Sequence, residues 1–470
     1  MNRKKMNRED YQRLVCIKRF FEYAQGYDEF TAVLDSPPMV ARLLKRHGLV
    51  IPTAVTAQLI DYYINKISSD CIGKDRQGED EKKVTSWLKA WLRWECILQE
   101  NVDEIRYSST LAHVCPEYDD WRNIQVNRSF SELGNKASAL IHGVAAFELS
   151  DGCSGQCPYC GLAAGKLEDV FQYTKENRTL WRKVLTSLRD RFGDFSANSV
   201  CYWATDPYDN PDIIKFITDF KDILGMLPQT TTSLPTGDTD WLKRLLNAYE
   251  GSLVTCRVSV NTPELLKKLH RRFTPEELLR VQLLINYTDR FPIVRSGKML
   301  ARKPTGTADL VDGTIACITG YVVNMCRKNV KLVSPCIASK QWPYGYIVHH
   351  DAHFNTAEEF ADILDDTIAN HMVADFREKD RVSFRSDLSV NTIENDLILE
   401  SRYRKHRFSG DNMLALVGKM LENRSLPFGE LMFRLIDTGG EYLSIVKNIS
   451  QFRRAGLFSE QAEHPQGDLL

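Results

Sequence analysis

The chain has 470 residues, 43% of them hydrophobic and 26% charged, with a formal net charge of −1. That length exceeds one compact core and predicts two to four domains of ordinary soluble composition. A near-neutral balance gives no electrostatic case for nucleic acid or a membrane surface, and no apolar run approaches the ~20 residues that span a bilayer. The basic start "MNRKKMNREDYQRL" leads into a mixed helix and not into an apolar signal core, so the expected location is cytoplasmic.

Residues 1–135 predict a helical domain. In "SWLKAWLRWECIL", Trp87, Trp91 and Trp94 recur at i, i+4 and i+7, the spacing of one core-facing stripe, and the charged run 73–83 is expected to be a solvated loop. Cys16, Cys71, Cys96, Cys115, Cys201 and Cys256 stand among apolar neighbours and read as small buried hydrophobes.

Residues 136–345 alternate strands with helices. "IHGVAAFEL" is strand-like, and "WRKVLTSLRDRF" sets Trp181, Val184, Leu185, Leu188 and Phe192 on one helical face. "SVCYWA" predicts a second strand. Asn210 and Pro211 open a helix that Gly225 ends, "QTTTSL" predicts a third strand, and "DWLKRLLNAY" a further helix. In "LVTCRVSV", Val254, Cys256, Val258 and Val260 alternate against Thr255, Arg257 and Ser259. "PEELLRVQLLINY" predicts a helix, and "FPIVRSGKML" and "GTIACITGY" a fifth and a sixth strand. Repeated βα units of this length imply a parallel sheet, open or curved toward a barrel.

Residues 346–378 are expected to connect to a last module, 379–470. "VHHDAHF" gathers His349, His350, Asp351 and His353, but adjacent strand residues point to opposite faces, so these read as a polar strand end. The last module predicts a hairpin and three helices, Asn412–Leu421, Pro427–Asp437 and Glu441–Ala455, a winged-helix-like arrangement.

"ELSDGCSGQCPYCG" holds Cys153, Cys157 and Cys160 within eight residues. A closed zinc site needs a fourth ligand, and no second Cys-x2-Cys exists. "CPYC" alone matches a glutaredoxin-type pair, which opens a helix. A [4Fe–4S] cluster on three thiolates leaves one iron open to a ligand. Cys-x3-Cys-x-aromatic-Cys after the first strand of a βα unit resembles the signature of radical S-adenosylmethionine (radical SAM) enzymes.

That resemblance implies an α/β fold: a partial (β/α)6 radical SAM barrel, with an N-terminal helical domain and a C-terminal winged-helix-like module. It implies a [4Fe–4S] cluster on Cys153, Cys157 and Cys160, and S-adenosyl-L-methionine (SAM) on the open iron. "YWATDPYDNPD" stands where the family has a glycine-rich segment but lacks the paired glycines; Thr205 and Asp206 take the amino-group contact. "RVSVN" resembles the family's Ser-x-Asp pattern, making Ser259 and Asn261 SAM contacts, with Tyr159 beside the adenine. One-electron cleavage of SAM then gives a 5′-deoxyadenosyl radical able to take hydrogen from unactivated C–H bonds.

The last module resembles the recognition element of maturases for ribosomally synthesised, post-translationally modified peptides (RiPPs). Such a module binds a leader as an added strand, here beside "LILESRYRKHRF" and 441–455, with Arg402, Arg404, Lys405 and Arg407 suited to an acidic leader. No cysteine follows Cys336, which excludes the extra C-terminal clusters common in such enzymes. The whole pattern resembles the proteusin-type RiPP peptide epimerases, isomerases that convert L- to D-residues. Inversion needs a hydrogen donor on the face opposite abstraction, and the resemblance implies a cysteine past the barrel strands: Cys336, then Cys326, then Cys317. The partners implied are a precursor peptide and an electron donor such as flavodoxin or ferredoxin. The alternative is another radical SAM RiPP maturase, a hydroxylase or a C–C or C–S cross-linker.

Overall fold

The computed structural model describes residues 7–70, 84–106, 111–233, 238–250, 256–288, 293–301 and 310–460. Cys71, the run 73–83, Val254 and Thr255 lie outside them.

The N-terminal region forms α1 (Arg8–Gly26), α2 (Pro37–Arg46), α3 (Thr53–Asp70), α4 (Ser86–Arg106) and α5 (Pro116–Leu133). Asn7 caps α1 by accepting the Asp10 N–H at 2.7 Å. Trp87 and Trp91 pack half-buried on the main core, and Trp94 packs on a smaller cluster with Leu14, Val15 and Leu279. This region does not keep a core of its own. Ile17, Phe20, Tyr23 and Trp121 share one continuous apolar core with Phe147, Trp181 and Val258 of the α/β part. Among the cysteines read as core, Cys115, Cys201 and Cys256 are buried, Cys16 is half-buried, and Cys96 is exposed.

In the α/β part, β1 (Gly143–Glu148) is buried along its whole length, as a strand covered on both faces must be. On one side it pairs in parallel with β5 (Ile318–Asn324). On the other, Val200 bridges Ala146 and Gln229, relaying the sheet to β2 (Thr230–Thr232), β3 (Cys256–Val260) and β4 (Val281–Ile285), all parallel. Two antiparallel strands, β6 (Asn329–Pro335) and β7 (Tyr346–His353), extend it beyond β5. The fold is mixed α/β, and no strand pair among the described residues closes the sheet into a barrel.

Helices α6 (Lys175–Phe192), α7 (Ile213–Leu224), α8 (Thr239–Ala248) and α9 (Pro263–Arg272) follow the strands as crossovers. All five residues of the predicted α6 face are buried, and Trp181 Nε1 donates to the Phe216 carbonyl at 3.1 Å.

Several expectations are corrected. "SVCYWA" contributes one bridging residue, Val200, to the sheet. Asn210 stands two residues before the cap position of α7, where its Oδ1 accepts the Asp212 N–H at 2.9 Å. Its Nδ2 donates to the carbonyls of Leu149 and Phe171, and Asp212 is the cap residue. "PEELLRVQLLINY" forms only a four-residue helix, Pro275–Leu278, before turning into β4, whose Val281, Leu283 and Ile285 are buried in strand alternation. Of "FPIVRSGKML", Phe291 and Pro292 lie outside the described residues, and among the rest only Ile293–Val294 pairs, with Leu310–Val311. The segment 346–378 carries β7 and α10 (Ala357–Asn370).

The last module has its own core, from Val382 to Phe458. It contains β8 (Ser389–Ile393), β9 (Asp396–Glu400) and β10 (Lys405–Phe408) as a three-stranded antiparallel sheet, one strand more than expected. Helices α11 (Met413–Leu421), α12 (Phe428–Asp437) and α13 (Tyr442–Arg454) follow.

Candidate functional site

Parallel strands bring their C-terminal ends to one rim, where unpaired backbone groups and loop side chains collect. Here that rim carries Glu148 at the end of β1, Ser233 after β2, Asn261 after β3, Asn286 after β4 and Asn324 at the end of β5. The cysteine loop crosses it. Gly152 starts the loop at φ +79°, and a Cβ there would lie 1.9 Å from the Lys166 carbonyl, so only glycine lets the two strands of the loop close. Cys153 N–H then donates to the Gly165 carbonyl at 3.0 Å.

Each sulfur is held by specific groups. Gly155 N–H lies 3.3 Å from Cys153 Sγ, and Ala164 N–H 3.4 Å from Cys160 Sγ. Cys157 Sγ has Ser233 Oγ at 3.8 Å and Asn261 Nδ2 at 3.9 Å. The three thiols are free and half-buried. Burial pushes the Cys153 thiol up to about 12, with Asp206 and Asp209 adding to it. From outside, the 296–298 turn clamps the loop: Lys298 N–H donates to the Cys160 carbonyl at 3.0 Å, and a Cβ on Gly297 would lie 2.5 Å from that oxygen.

The rim is braced by two buried carboxyls. Glu148 accepts from Ala204 N–H at 2.9 Å and Asn324 Nδ2 at 3.0 Å. Asp206 accepts from Thr232 Oγ1 at 2.7 Å, from Ser233 N–H at 2.6 Å and from Tyr208 N–H at 2.9 Å. Burial raises both above the usual carboxylate range. Thr205 and Ser259 are half-buried nearby on the β2 and β3 sides of the rim, and Tyr159 lies beside Asn286 with its hydroxyl buried.

Three thiols on one loop are a donor set that could serve a metal ion or a cluster. The three sulfurs do not gather within 4.8 Å of one another. A cube places each thiolate on a different iron and spreads the sulfurs, while amide N–H groups aimed at sulfur stabilise thiolates. The glutaredoxin-type alternative lacks its helix: after Cys160 the chain continues as turns to Asp169–Val170.

Cys336 and Cys326 lie apart. Cys326 follows β5, at the rim. Cys336 follows β6, which runs the other way, and it is 4% exposed, near Glu132 and Arg128 of α5. Cys336 N–H donates to the Gly345 carbonyl at 2.9 Å, and two residues earlier in that turn the Pro343 carbonyl accepts from Gly297 N–H at 2.8 Å. Cys317 is half-buried beside Leu133 and Ile337.

Sequence reasoning missed Glu148, Ser233, Asn286, Asn324 and Gly297. A signal existed: an asparagine closes or directly follows three of the parallel strands, at 261, 286 and 324.

The sheet and the loop across its rim thus define a mixed α/β protein with a three-cysteine loop and no helix, among the described residues, long and apolar enough to cross a membrane. The chain is 30% identical over 469 residues to "Uncharacterized protein y4wI" of Sinorhizobium fredii, covering 97% of this chain and 89% of that protein, and it belongs to the same family. No family model and no solved structure matches it.

Proposed function

We propose that the chain is a radical SAM peptide epimerase, converting L- to D-residues in a ribosomally synthesised precursor. The observation that carries the reading is the cysteine loop lying over the C-terminal ends of parallel strands, with side chains from two of those ends against Cys157. Cys153, Cys157 and Cys160 would hold a [4Fe–4S] cluster, and the rim of a (β/α)6-like array would hold SAM. Bound there, the pair would supply hydrogen abstraction from an unactivated C–H bond.

The chain's own residues divide the remaining work. Asn261 reaches both the Cys157 sulfur and, by accepting from Asn286 Nδ2 at 3.3 Å, the next strand end, so it links cluster and cofactor sides. Asp206 spends its carboxyl on Thr232, Ser233 and Tyr208, which suits positioning of the 204–209 turn more than cofactor contact. Thr205, Ser259 and Tyr159 keep the contact roles.

Cys336 would be the hydrogen donor, the role the resemblance implies for a cysteine past the sheet strands. Burial raises its pKa, keeping it as S–H, the form that can give a hydrogen atom. Donation leaves a sulfur radical, which one electron from a flavodoxin- or ferredoxin-type partner and one proton from solvent would return to S–H.

The leader would bind the last module by strand addition. Arg407 pairs with Asp396, Arg402 reaches Asp312 at 3.5 Å, and Arg404 lies over Phe130. Much of the expected basic patch is therefore engaged within the chain, and recognition rests on backbone edges more than on charge. The outer edge of β8 has no strand partner among the described residues.

The test is anaerobic reconstitution, followed by co-expression with a candidate precursor peptide sought as a small open reading frame near the gene. The expected results are a cubane EPR signal on reduction, 5′-deoxyadenosine release, and D-residues carrying one deuterium each in heavy water. A colourless, iron-free protein that leaves SAM intact would overturn the proposal.

A further inference from the structure

We infer that His350, Asp366 and His371 form a second metal site, for a divalent transition ion of the zinc type, at the junction with the last module. It is independent of the cysteine loop and of the function proposed above.

The site follows from a register shift. Between Leu332 and Val333 the pairing partner on β7 jumps from His350 to Val348, which leaves His349 as an inserted residue. A bulge of this kind breaks the alternation that would send neighbouring side chains to opposite faces. The two histidines, expected to diverge, both approach His371. The His350 and His371 rings lie 4.5 Å apart, and His349 shares a cavity wall with His371. His371 ends α10, and Asp366 lies one turn earlier on the same helix.

One ligand atom from each of His350, Asp366 and His371 lies within 4.8 Å of the others, and His371 Nε2 stands 4.0 Å from Asp366 Oδ2. A tetrahedral zinc with bonds of about 2.0–2.2 Å needs its ligand atoms about 3.5 Å apart, so small side-chain adjustments close the site. Two imidazoles and one carboxylate favour a borderline ion over magnesium or calcium, which take oxygen ligands. Three protein ligands leave one coordination position open. His371 also borders a cavity of about 240 Å³, lined by His349, Phe376, Arg377, Arg453 and Glu460. These come from β7, from the segment after α10, and from α13 and the residues beyond it. An ion here would join the edge strand to the helix end from which the chain enters the last module.

The test uses the full chain without a polyhistidine tag, with zinc alone as the probe. After chelator treatment, zinc is titrated against a chromophoric competitor in the wild type and in a Cys153→Ser/Cys157→Ser/Cys160→Ser background. One equivalent should survive loss of the cysteines and raise the thermal midpoint. His350→Ala or His371→Ala should remove it, and Asp366→Asn should weaken it at least tenfold. X-ray absorption of zinc in the cysteine-free background should show a nitrogen and oxygen shell, a readout that does not depend on the histidine variants folding. Loss of all zinc binding with the three cysteines, or stoichiometry unchanged in folded His350→Ala and His371→Ala, would overturn the site.

Discussion

Glu148 and Asn324 meet at 3.0 Å, the amide of one strand end donating to the carboxylate of the next. Because the other carboxylate oxygen accepts from Ala204 N–H, one buried side chain ties three neighbouring segments of the rim. Glu148→Ala strands two buried donors and should cost about 2–4 kcal/mol in chemical denaturation. Glu148→Gln keeps one acceptor and should cost less. Burial raises the carboxyl above its ordinary range, so the unfolded chain releases this proton first and the group's contribution falls as pH rises from about 4. The gap between wild type and Glu148→Gln should therefore narrow between pH 4 and pH 8. A gap that widens would show that the carboxyl is ionised in the fold without cost.

Gly297 tests how far the cysteine loop depends on its outer clamp. At φ +54°, with a Cβ that would stand 2.4 Å from the Gly161 carbonyl, alanine must displace the loop backbone. Gly297→Ala should cut iron incorporation and 5′-deoxyadenosine formation at least fivefold while circular dichroism stays unchanged. Gly165→Ala is the control: its Cβ meets nothing within 4 Å, and iron content should match wild type. Equal iron in both variants would mean the loop does not need the clamp.

Much of this architecture is legible because local signals and tertiary demand agree. The apolar face of α6 and the three C-terminal helices follow from 3.6-residue periodicity, and the ends of those three helices fall within one residue of expectation, whereas α6 starts six residues before Trp181. β4 was hidden because Thr274 and Glu277 form a genuine capping box, a correct helix start that the chain abandons after one turn. The pairing of β5 with β1 is a long-range choice that no local pattern encodes. The cysteine loop declares its residues by spacing, but its supports, Gly297 and Ser233, come from distant turns. At the paired histidines alternation assumes a regular strand, and the bulge at His349 is invisible without its partner strand.

Cys336 and Cys326 make opposite predictions. Cys326 sits at the rim, and burial pushes its thiol up to about 12, so it also stays protonated at neutral pH. If Cys336 returns the hydrogen atom, Cys336→Ala should abolish D-residue formation while SAM cleavage continues, and Cys326→Ala should retain inversion within about twofold. The reverse outcome transfers the role to Cys326. Chiral amino-acid analysis, with 5′-deoxyadenosine counted in parallel, separates the two.

Glu460 predicts how the last module answers to acid. Burial alone would raise its carboxyl, but the guanidinium charges of Arg453 and Arg128 outweigh that and hold it down to about 2, while Gln125 Nε2 donates to it at 2.9 Å. Burial in turn pushes His349 down to about 3, so this histidine stays neutral in the fold. A carboxyl with a depressed folded pKa stabilises fully above its unfolded value, near 4.3, and loses that contribution as pH falls toward 2. A histidine with a depressed folded pKa destabilises from about pH 6.5 downward, because the unfolded chain gains its proton first. Stability should thus begin to fall below pH 6.5 and fall more steeply below pH 4.5. Glu460→Gln leaves Arg453 and Arg128 facing an uncharged amide and should cost about 3 kcal/mol at pH 7, with the difference from wild type shrinking toward pH 2. Denaturation curves across that range decide it: a penalty independent of pH would mean that Glu460 acts by packing and not by charge.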